Sequence, residues 1–550
     1  REHQTPEAEY DGSYWQDDMP LCEQRTIKGH AVRACYLLSG ATDVAAVTND
    51  AAMLQMIQRV WHNTIERNQY ITGGIGPSSH NEGFTEDYDL PNLTAYQETC
   101  ATIALAQWNH RLALLYGDSR YADVVERCLY NGMLSGVSQD GKNFFYVNRL
   151  ESDGNQHRSP WFGCACCPPN VARTIASLGG YVCAQDDHSL WVNLYLQGRI
   201  QVTLPQGRLS IQVLSHYPWD GRVRIKPSPE KSFAFALRLR KPGWCDEATV
   251  QVNGEAVTPR MDKGYFVLDR TWQPGDEVEL NLDMPVRRMI AHPRVQADAG
   301  HTALQRGPLV YCLEACDHAA ELSSIFLPGT CQLTAEWDPS LFHGMAVLKG
   351  KGFSADSLSW KAKLYQPMPA LRQVEVKAVP YFVWDNRAAG SMMVWLPQAM
   401  PPTAAGGPER SAGVTASYIG SRSRPQAVKD GIEPKRSSDH TGPLCHFWPH
   451  KGGEEWVCYR WPQPVAIAGC QVYWFDDSGR GECRLPAQWR IEYLQGATWK
   501  TVAADDSSVF LDGWNTVTFS PITTTELRLL VKLQDQWSAG VHEWRIIEPE

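Results

Sequence analysis

The sequence has no long hydrophobic run and no excess of basic residues. No uncharged apolar segment reaches the roughly 18 residues that a membrane-spanning helix needs, so we expect no membrane span. Lys and Arg number 51 against 61 Asp and Glu, which gives a formal net charge of −10. A protein of that charge is not expected to bind nucleic acid or an anionic membrane surface. Internal repeats and low-complexity tracts are also absent.

The beginning of the chain lacks the pattern of a signal peptide. Residue 1 is Arg1 rather than methionine, and the residues after it are polar, with no apolar segment behind a basic one. The compartment therefore stays open. A soluble protein of the bacterial periplasm, or a secreted protein, is compatible with this sequence.

The composition is that of a folded protein with several domains. Hydrophobic residues make up 43% and charged residues 20% of the 550, and a chain of this length forms about three or four domains. Tryptophan is abundant, at 21 residues. A flat indole ring can stack on the face of a sugar, although tryptophan also fills the cores of β-sandwiches.

The hydrophobic pattern changes its period along the chain. Up to about residue 185, apolar residues recur every three or four positions, which predicts helices over 31–38, 51–65, 93–116, 120–137 and 171–182. From about residue 188 the period becomes two, which predicts the strands of β-sandwiches. The fold class that we predict is therefore a multidomain protein with a helical part followed by all-β domains.

These patterns divide the chain into four segments. Residues 1–185 form the helical region, and residues 186–400 form a β-sandwich region of one or two units. Residues 401–411 are a linker rich in Pro, Gly and Ala, and residues 412–550 form a second all-β unit. The strand pattern of this last unit resembles the discoidin-like, galactose-binding-like sandwiches that are often attached to sugar-active enzymes.

The 16 cysteines are mostly scattered singly, as buried free cysteines are. The exception is the segment Cys164-Ala-Cys166-Cys167-Pro-Pro-Asn170. Asn170 can cap a helix that follows it, and the adjacent Cys166 and Cys167 are badly placed to bond to each other. Both thiols can instead reach one ion from an irregular loop.

A second pair of candidate ligands, Glu98 and Cys100, lies upstream. Residues two apart in a helix point about 200° away from each other, so these two can act together only if a helix begins near or after them. With the loop cysteines they provide three thiolates and one carboxylate, a suitable four-ligand shell for Zn²⁺. A disulfide between Cys100 and a loop cysteine, or plain burial of the thiols, is the alternative.

Residues 70–92 form a long loop that carries several acids, and loops of that length are often functional. Its three glycines are not framed by a strand and a helix as a phosphate-binding motif would be. The acids either form a solvated surface or place one carboxyl group opposite the thiols, where it can act as an acid and a base.

Five motifs, taken in order, resemble those of glycoside hydrolase family 127 β-L-arabinofuranosidases and of the related family 146. They are His30 in Gly-His-Ala-Val-Arg-Ala, the loop of residues 70–92, Glu98-Thr-Cys100, Phe144-Phe-Tyr146-Val-Asn148, and Cys164–Asn170. The match covers about residues 1–400. The resemblance implies an (α/α)6 toroid portion followed by β-sandwich domains, and a zinc ion held by Glu98, Cys100, Cys166 and Cys167.

The resemblance also implies the catalytic roles. Cys166 corresponds to the nucleophile and Glu82 to the general acid/base, whereas His30 and Tyr146 correspond to residues that line the sugar pocket. A retaining glycosidase needs a nucleophile on one face of the anomeric carbon and an acid on the other. Metal coordination deprotonates a thiol, so Cys166 can attack the sugar, while Glu82 transfers the protons.

The number of helices departs from the family pattern. A complete toroid has about twelve helices, whereas the hydrophobic pattern gives about five before the strands begin. We therefore expect this chain to be the C-terminal portion of a toroid. Either another chain or a homo-oligomer supplies the N-terminal part, or the sequence is incomplete, or this copy of the enzyme is damaged.

The expected function is that of a retaining exo-glycosidase. Its substrate would be an oligosaccharide or glycan that ends in β-L-arabinofuranose or a related sugar. The alternative is a carbohydrate-binding or scaffold protein in which the zinc site is structural and no bond is hydrolysed.

Overall fold

The computed structural model describes residues 11–355, 365, 367, 369–400, 407–419, 423–440, 442–502 and 509–549. The chain forms two compact units. The first contains Arg1–Ala355 and Leu371–Pro401, and the second contains Asp356–Ala370 and Pro402–Glu550. Residues 401–406 of the predicted linker lie outside the described residues, and Pro408–Ser411 form a 3-10 helix.

The helical part of the first unit follows the predicted three- to four-residue period. Its helices are α1 (Ala31–Thr48), α2 (Ala51–Arg67), α3 (Thr99–Tyr116), α4 (Ser119–Arg127), α5 (Cys167–Ser177) and α6 (Gly179–Val182), and α4 continues as the π-helical segment Cys128–Met133. Further 3-10 helices are Ser13–Trp15, Leu21–Glu23, Gln296–Asp298, Ala315–Asp317, Leu322–Ser324, Tyr381–Val383 and, in the second unit, Pro425–Lys429. No helix of the described residues is long and apolar enough to cross a membrane.

Two helix boundaries differ from the prediction. Residues 93–98 are not helical, because α3 begins at Thr99 with Glu98 as its N-cap; this start is the condition under which Glu98 and Cys100 can act together. Asn170 does not cap α5, which begins earlier, at Cys167. Prolines occupy the first turn of α5, where a missing backbone N–H costs no hydrogen bond, so the helix can include them.

Three largely antiparallel sheets follow the period-two pattern in the first unit. The five-stranded sheet contains Cys183–Gln185, Ser189–Val192, Phe233–Arg240, Arg260–Asp262 and Tyr265–Trp272. The six-stranded sheet contains Gly198–Leu204, Gly207–Ser215, Arg222–Pro229, Ala248–Val252, Glu255–Val257 and Val278–Leu282. The ten-stranded sheet contains Glu151–Ser152, Val286–Met289, His301–Arg306, Leu309–Glu314, Ile325–Phe326, Leu333–Asp338, Met345–Ala355, Leu371–Pro380, Met392–Met393 and Trp395–Pro397.

Alternation along these strands builds the core. In Gly207–Ser215 the side chains of Leu209, Ile211 and Val213 are buried, while those between them are more exposed. Trp272 is fully buried in the same continuous apolar core. The period-two prediction is therefore confirmed for this region, whereas the predicted domain boundaries at residues 185, 400 and 411 stay predictions.

The second unit has its own antiparallel sheet and its own core. Its strands are Gly413–Ala416, Cys445–His446, Glu454–Phe475, Gln488–Gln495, Thr498–Thr501, Trp514–Lys532 and Gly540–Ile547. The two longest strands pair with each other, with register shifts that bend the pair. Trp474 and Trp544 are fully buried there, which agrees with tryptophan as a filler of β cores.

A buried ionic cluster joins α4 to the five-stranded sheet. Arg240 is fully buried, and its guanidinium forms ion pairs with Asp123 and Glu126 of α4. Glu126 also accepts hydrogen bonds from the Tyr217 hydroxyl (2.5 Å) and from Trp244 Nε1 (3.0 Å). Because one guanidinium is the shared ion-pair partner of both acids, the packing of α4 on the sheet depends on it.

We expect Arg240→Met to lower the free energy of unfolding by about 3–5 kcal/mol, because removing one partner leaves buried carboxylates uncompensated. Urea unfolding measures the change. The matched control is Arg222→Met, because Arg222 forms an exposed ion pair with Glu279 (2.8 Å) and such pairs contribute little. Equal effects of the two substitutions would contradict the assignment.

Candidate metal centre and active site

The structure brings together all four residues nominated as metal ligands. One ligand atom from each of Glu98, Cys100, Cys166 and Cys167 lies within 4.8 Å of the others. Cys166 Sγ and Cys167 Sγ are 3.2 and 3.7 Å from Glu98 Oε1. Cys100 Sγ is 3.5 Å from Cys167 Sγ, and each of the three cysteines is a free thiol rather than half of a disulfide.

The four acidic groups of this cluster shift one another's pKa values. Burial raises the pKa of the Glu98 carboxyl to about 9, and the neighbouring Cys166 adds to the shift. Hydrogen bonds from Cys100 and Cys167 lower the pKa of the Cys166 thiol, while the pKa values of those two donors are raised. These hydrogen bonds thus favour the thiolate form of Cys166 over that of the other two cysteines.

The donor set fits a metal ion. Glu98 is only 2% exposed, and its Oε2 has no hydrogen-bond partner among the described residues. A buried carboxylate oxygen without a partner is costly in a protein that binds nothing there. Three sulfur atoms and one carboxylate match the ligands of a thiophilic divalent cation, so the cluster is compatible with a metal site.

The main chain fixes Glu98 and Cys100 just before and just inside α3. Asn148 Nδ2 donates hydrogen bonds to the Gln97 carbonyl oxygen (3.0 Å) and to Thr99 Oγ1 (2.9 Å). The Thr99 N–H donates to the Tyr146 carbonyl oxygen (2.9 Å). Residues 144–148 therefore hold in place the segment that carries Glu98 and Cys100.

The two loop cysteines stand at the N-terminus of α5. Cys166 is the N-cap residue and Cys167 is the first helical residue. The positive end of the helix dipole favours thiolates at that place. Cys164, the third thiol of the motif, is exposed and is not one of the four clustered ligands.

Glu82 and His30 form a pair beside the cluster. His30 Nε2 lies 2.9 Å from Glu82 Oε2, and ligand atoms of His30, Glu82 and Glu98 lie within 4.8 Å of one another. The backbone N–H of Val32 donates to His30 Nδ1 (3.2 Å), so that ring nitrogen is an acceptor. The proton of the neutral ring is therefore on Nε2, which donates to the Glu82 carboxylate.

Close backbone approach holds Glu82 in place. The Ala31 N–H donates to the Glu82 carbonyl oxygen (3.1 Å), and Glu82 has a left-handed φ of 49°. A Cβ atom on Gly83 would lie 1.7 Å from the Gly29 carbonyl oxygen. Only glycine at position 83 permits this contact between the acidic loop and the start of α1.

The Tyr146 hydroxyl is within hydrogen-bonding reach of the Cys166 sulfur. After the two cysteine contacts and burial, its hydroxyl also contributes to the low pKa of the Cys166 thiol. The ring centre of Tyr96 is 6.1 Å from that of Tyr146, and the Tyr96 hydroxyl interacts with Glu82. Tyr96 is a site residue that the sequence reasoning missed. The signal was present, because alternate residues of an extended segment share a side, and Tyr96 precedes Glu98 by two.

Comparison with known families identifies the first unit. A family model for the β-L-arabinofuranosidase GH127 catalytic domain matches residues 2–180. The GH127 middle-domain model matches residues 189–284, and the glycoside hydrolase family 127 C-terminal domain model matches residues 286–397. The three models follow one another in the order of the helical region and the sheets.

Relatives agree with these models. A non-reducing end β-L-arabinofuranosidase of Bifidobacterium longum subsp. longum is 35% identical over 411 residues, which are 70% of this chain and 62% of that protein. A solved family 127 β-L-arabinofuranosidase from Geobacillus stearothermophilus T6 is 45% identical with a TM-score of 0.69, over 72% of this chain and 65% of that one. A solved glycoside hydrolase is 34% identical with a TM-score of 0.67, over 71% and 69%.

The three matched models, which follow the order of the helical region and the β domains, place the chain among the glycoside hydrolases. The chain belongs to glycoside hydrolase family 127. It spans 62% of the length of the Bifidobacterium relative and 65% of the Geobacillus structure.

We expect the reduced protein to bind one metal ion per chain at the four-residue cluster. Cys100→Ser and Cys167→Ser should each lower the metal content strongly, because a hydroxyl is a poor substitute for a thiolate donor. Elemental analysis after dialysis against a weak chelator measures the stoichiometry. Cys22→Ser is the control, since Cys22 is exposed and outside the cluster; equal metal content in all variants would contradict the assignment.

Proposed function

We propose that this chain carries the nucleophile and the acid/base of a retaining exo-glycosidase that releases terminal β-L-arabinofuranose, or a related sugar, from an oligosaccharide or glycan. The supporting observation is that Glu82 and Cys166 both lie beside Glu98. One site thus offers a carboxyl group and a nucleophilic sulfur, the pair that double displacement needs. The names of the Bifidobacterium and Geobacillus relatives support the choice of sugar.

The metal in this proposal is Zn²⁺, held by Glu98, Cys100, Cys166 and Cys167. Sulfur-rich donor sets favour zinc over Mg²⁺ or Ca²⁺. When bound, zinc keeps the Cys166 sulfur deprotonated at neutral pH. The N-terminus of α5 favours the same ionisation state of the thiol.

The residues then act in two steps. Cys166 Sγ attacks the anomeric carbon while the Glu82 carboxyl donates its proton to the leaving oxygen, so that a C–S bond forms as the C–O bond breaks. In the second step the Glu82 carboxylate takes a proton from water, whose oxygen bonds to the anomeric carbon as the C–S bond breaks. Both residues return to their starting forms.

His30 and Tyr146 are the proposed sugar-binding residues. The Nε2–H of His30 is directed at Glu82, so His30 also orients the acid/base toward the leaving oxygen. Tyr146 adjoins Cys166, where its hydroxyl can bind a ring hydroxyl of the sugar next to the nucleophile.

The proposed partner of the helical region is a further set of helices. Large apolar side chains on three of its helices are exposed: Tyr36, Val44 and Val47 on α1, Leu114 on α3, and Ile175 on α5. Val47 is 87% exposed. Helices α1 and α5 both pack against α3, and exposed apolar residues on neighbouring helices are typical of surfaces that another element covers. The N-terminal part of a toroid, or a second chain, would cover them.

We expect Cys166→Ser to lower kcat/KM for an aryl β-L-arabinofuranoside by at least about a thousandfold, because the variant has no thiolate nucleophile. Cys22→Ser is the matched control, since that thiol is exposed and outside the ligand cluster. Full activity of Cys166→Ser would contradict the thiolate mechanism. Absence of hydrolysis by the unmodified chain, with sugar binding retained, would favour the carbohydrate-binding alternative.

We expect the effect of Glu82→Gln to depend on the leaving group. An amide cannot donate the proton, so hydrolysis of alkyl glycosides, which have poor leaving groups, should fall by about 10²–10⁴-fold. Nitrophenyl glycosides should lose much less in the glycosylation step. Steady-state and single-turnover kinetics with both substrates test this, with Glu86→Gln, an exposed acid of the same loop, as the control; equal losses on both substrates would argue against an acid role.

A further inference from the structure

A second cavity, of about 500 Å³, lies where α2 and α4 meet the β domains of the first unit. Neither Glu82 nor Cys166 lines it, nor does any other residue of the candidate active site. Its volume is within the range of sites that hold small molecules. The cavity is therefore a separate place where a ligand can be accommodated.

Aromatic rings in fixed positions form part of the wall. Trp244 Nε1 donates a hydrogen bond to Glu126 Oε2 (3.0 Å), which holds the indole in place. Tyr88 stacks on His292 with ring centres 4.7 Å apart, and Trp395 is 7% exposed. Rigid aromatic faces of this kind pack against the apolar face of a ring-shaped ligand.

Donors without partners lie on the same lining. Within the described part of the chain, the Arg127 guanidinium has one hydrogen-bond acceptor, the Ile71 carbonyl oxygen at 3.3 Å, and Asp123 and Glu126 act on it only through longer-range electrostatic attraction. Gln69 Nε2 is buried, and no described residue accepts a hydrogen bond from it. Unsatisfied donors in a cavity call for acceptor oxygens.

Acceptors are present too. Gln305 is 4% exposed, and its orientation is fixed because Nε2 donates to the Gly307 carbonyl oxygen (2.9 Å). Its Oε1 receives no hydrogen bond from any described residue. The Asp298 carboxyl is 6% exposed, and burial raises its pKa to about 6. The lining thus offers both donors and acceptors to one ligand.

The charges of the lining favour an uncharged ligand. The acids of the lining are matched in number by its arginines together with the buried Arg240: the acids are Glu66, Asp123, Glu126 and Asp298, and the arginines are Arg67, Arg120 and Arg127. An anion or a cation would upset this balance. Hydroxyl groups both donate and accept, and a sugar ring carries them around an apolar face that suits aromatic walls.

We propose that this cavity is a binding site for a neutral saccharide, distinct from the candidate active site. The proposal does not depend on hydrolysis by the chain. Its contacts are the Arg127 and Gln69 donors, the Gln305 and Asp298 acceptors, and the ring of Trp244.

Ligand-observed NMR titration of the full chain with L-arabinose, D-galactose and, as the acidic analogue, D-glucuronate tests this proposal. We expect at least one neutral sugar to bind, and Gln305→Met and Arg127→Met to weaken that binding about five- to tenfold each, as the loss of hydrogen bonds predicts. Gln139→Met, at an exposed glutamine outside the cavity, should bind as the unmodified protein does. Tyr146→Phe, which changes the candidate active site, should also leave this binding in place.

Three results would overturn the proposal. They are the binding of no neutral sugar, binding of D-glucuronate alone, and binding that Tyr146→Phe abolishes while Gln305→Met does not. Thermal unfolding of each variant, followed by circular dichroism, shows whether a change in binding accompanies a change in folding. Gln305→Met is the more conservative substitution, so its result decides if Arg127→Met is unstable.

Discussion

Glu98 is a buried carboxyl group that shares its space with three thiols, and the arrangement of the candidate site depends on that crowding. An isolated charge in a protein interior is expensive, and several of one sign are more so. Glu98 Oε2 has no partner among the described residues, and its carboxyl pKa is raised. A cation at this point would compensate the carboxylate and the sulfur atoms together, which explains why ligands from two distant parts of the chain converge there.

The side chains of the site come together because the backbone at two positions takes an unusual conformation, which hydrogen bonds from neighbouring elements stabilise. Glu82 and Gln97 both have a left-handed φ, 49° and 40°, and such conformations cost about 1–3 kcal/mol each. Hydrogen bonds offset that cost: Asn148 binds the Gln97 carbonyl oxygen, and the Ala31 N–H binds that of Glu82. Strain of this kind is typical of functional sites, where side-chain position matters more than local stability.

The sequence predicts the parts of the fold that follow from local periodicity. Helical and strand regions could be assigned because their core-facing residues recur at fixed intervals. Periodicity alone placed the start of α3 too early, at residue 93, whereas the stereochemical condition on Glu98 and Cys100 required a start near or after them. The capping preference of Asn170 predicts a later start of α5 than the structure has. The helix begins at Cys167 because prolines fit a first helical turn.

Contacts between distant parts of the chain were not predictable in this way. Arg240 is 117 residues from Asp123 and 114 from Glu126 along the chain, and no local pattern links them. Nor could the spacing of Tyr96 and Glu98 show that Tyr96 adjoins Glu82. Such contacts arise when domains pack, so the motifs nominated the ligands but not the residues that position them.

Helix α4 shows how one element can serve both packing and recognition. Two of its acids, Asp123 and Glu126, are paired with the buried Arg240 of the neighbouring sheet. The guanidinium of the neighbouring Arg127 lies at the cavity wall, with a single backbone carbonyl as its hydrogen-bond acceptor. The ion pairs that hold α4 on the sheet therefore leave a hydrogen-bond donor available for a ligand.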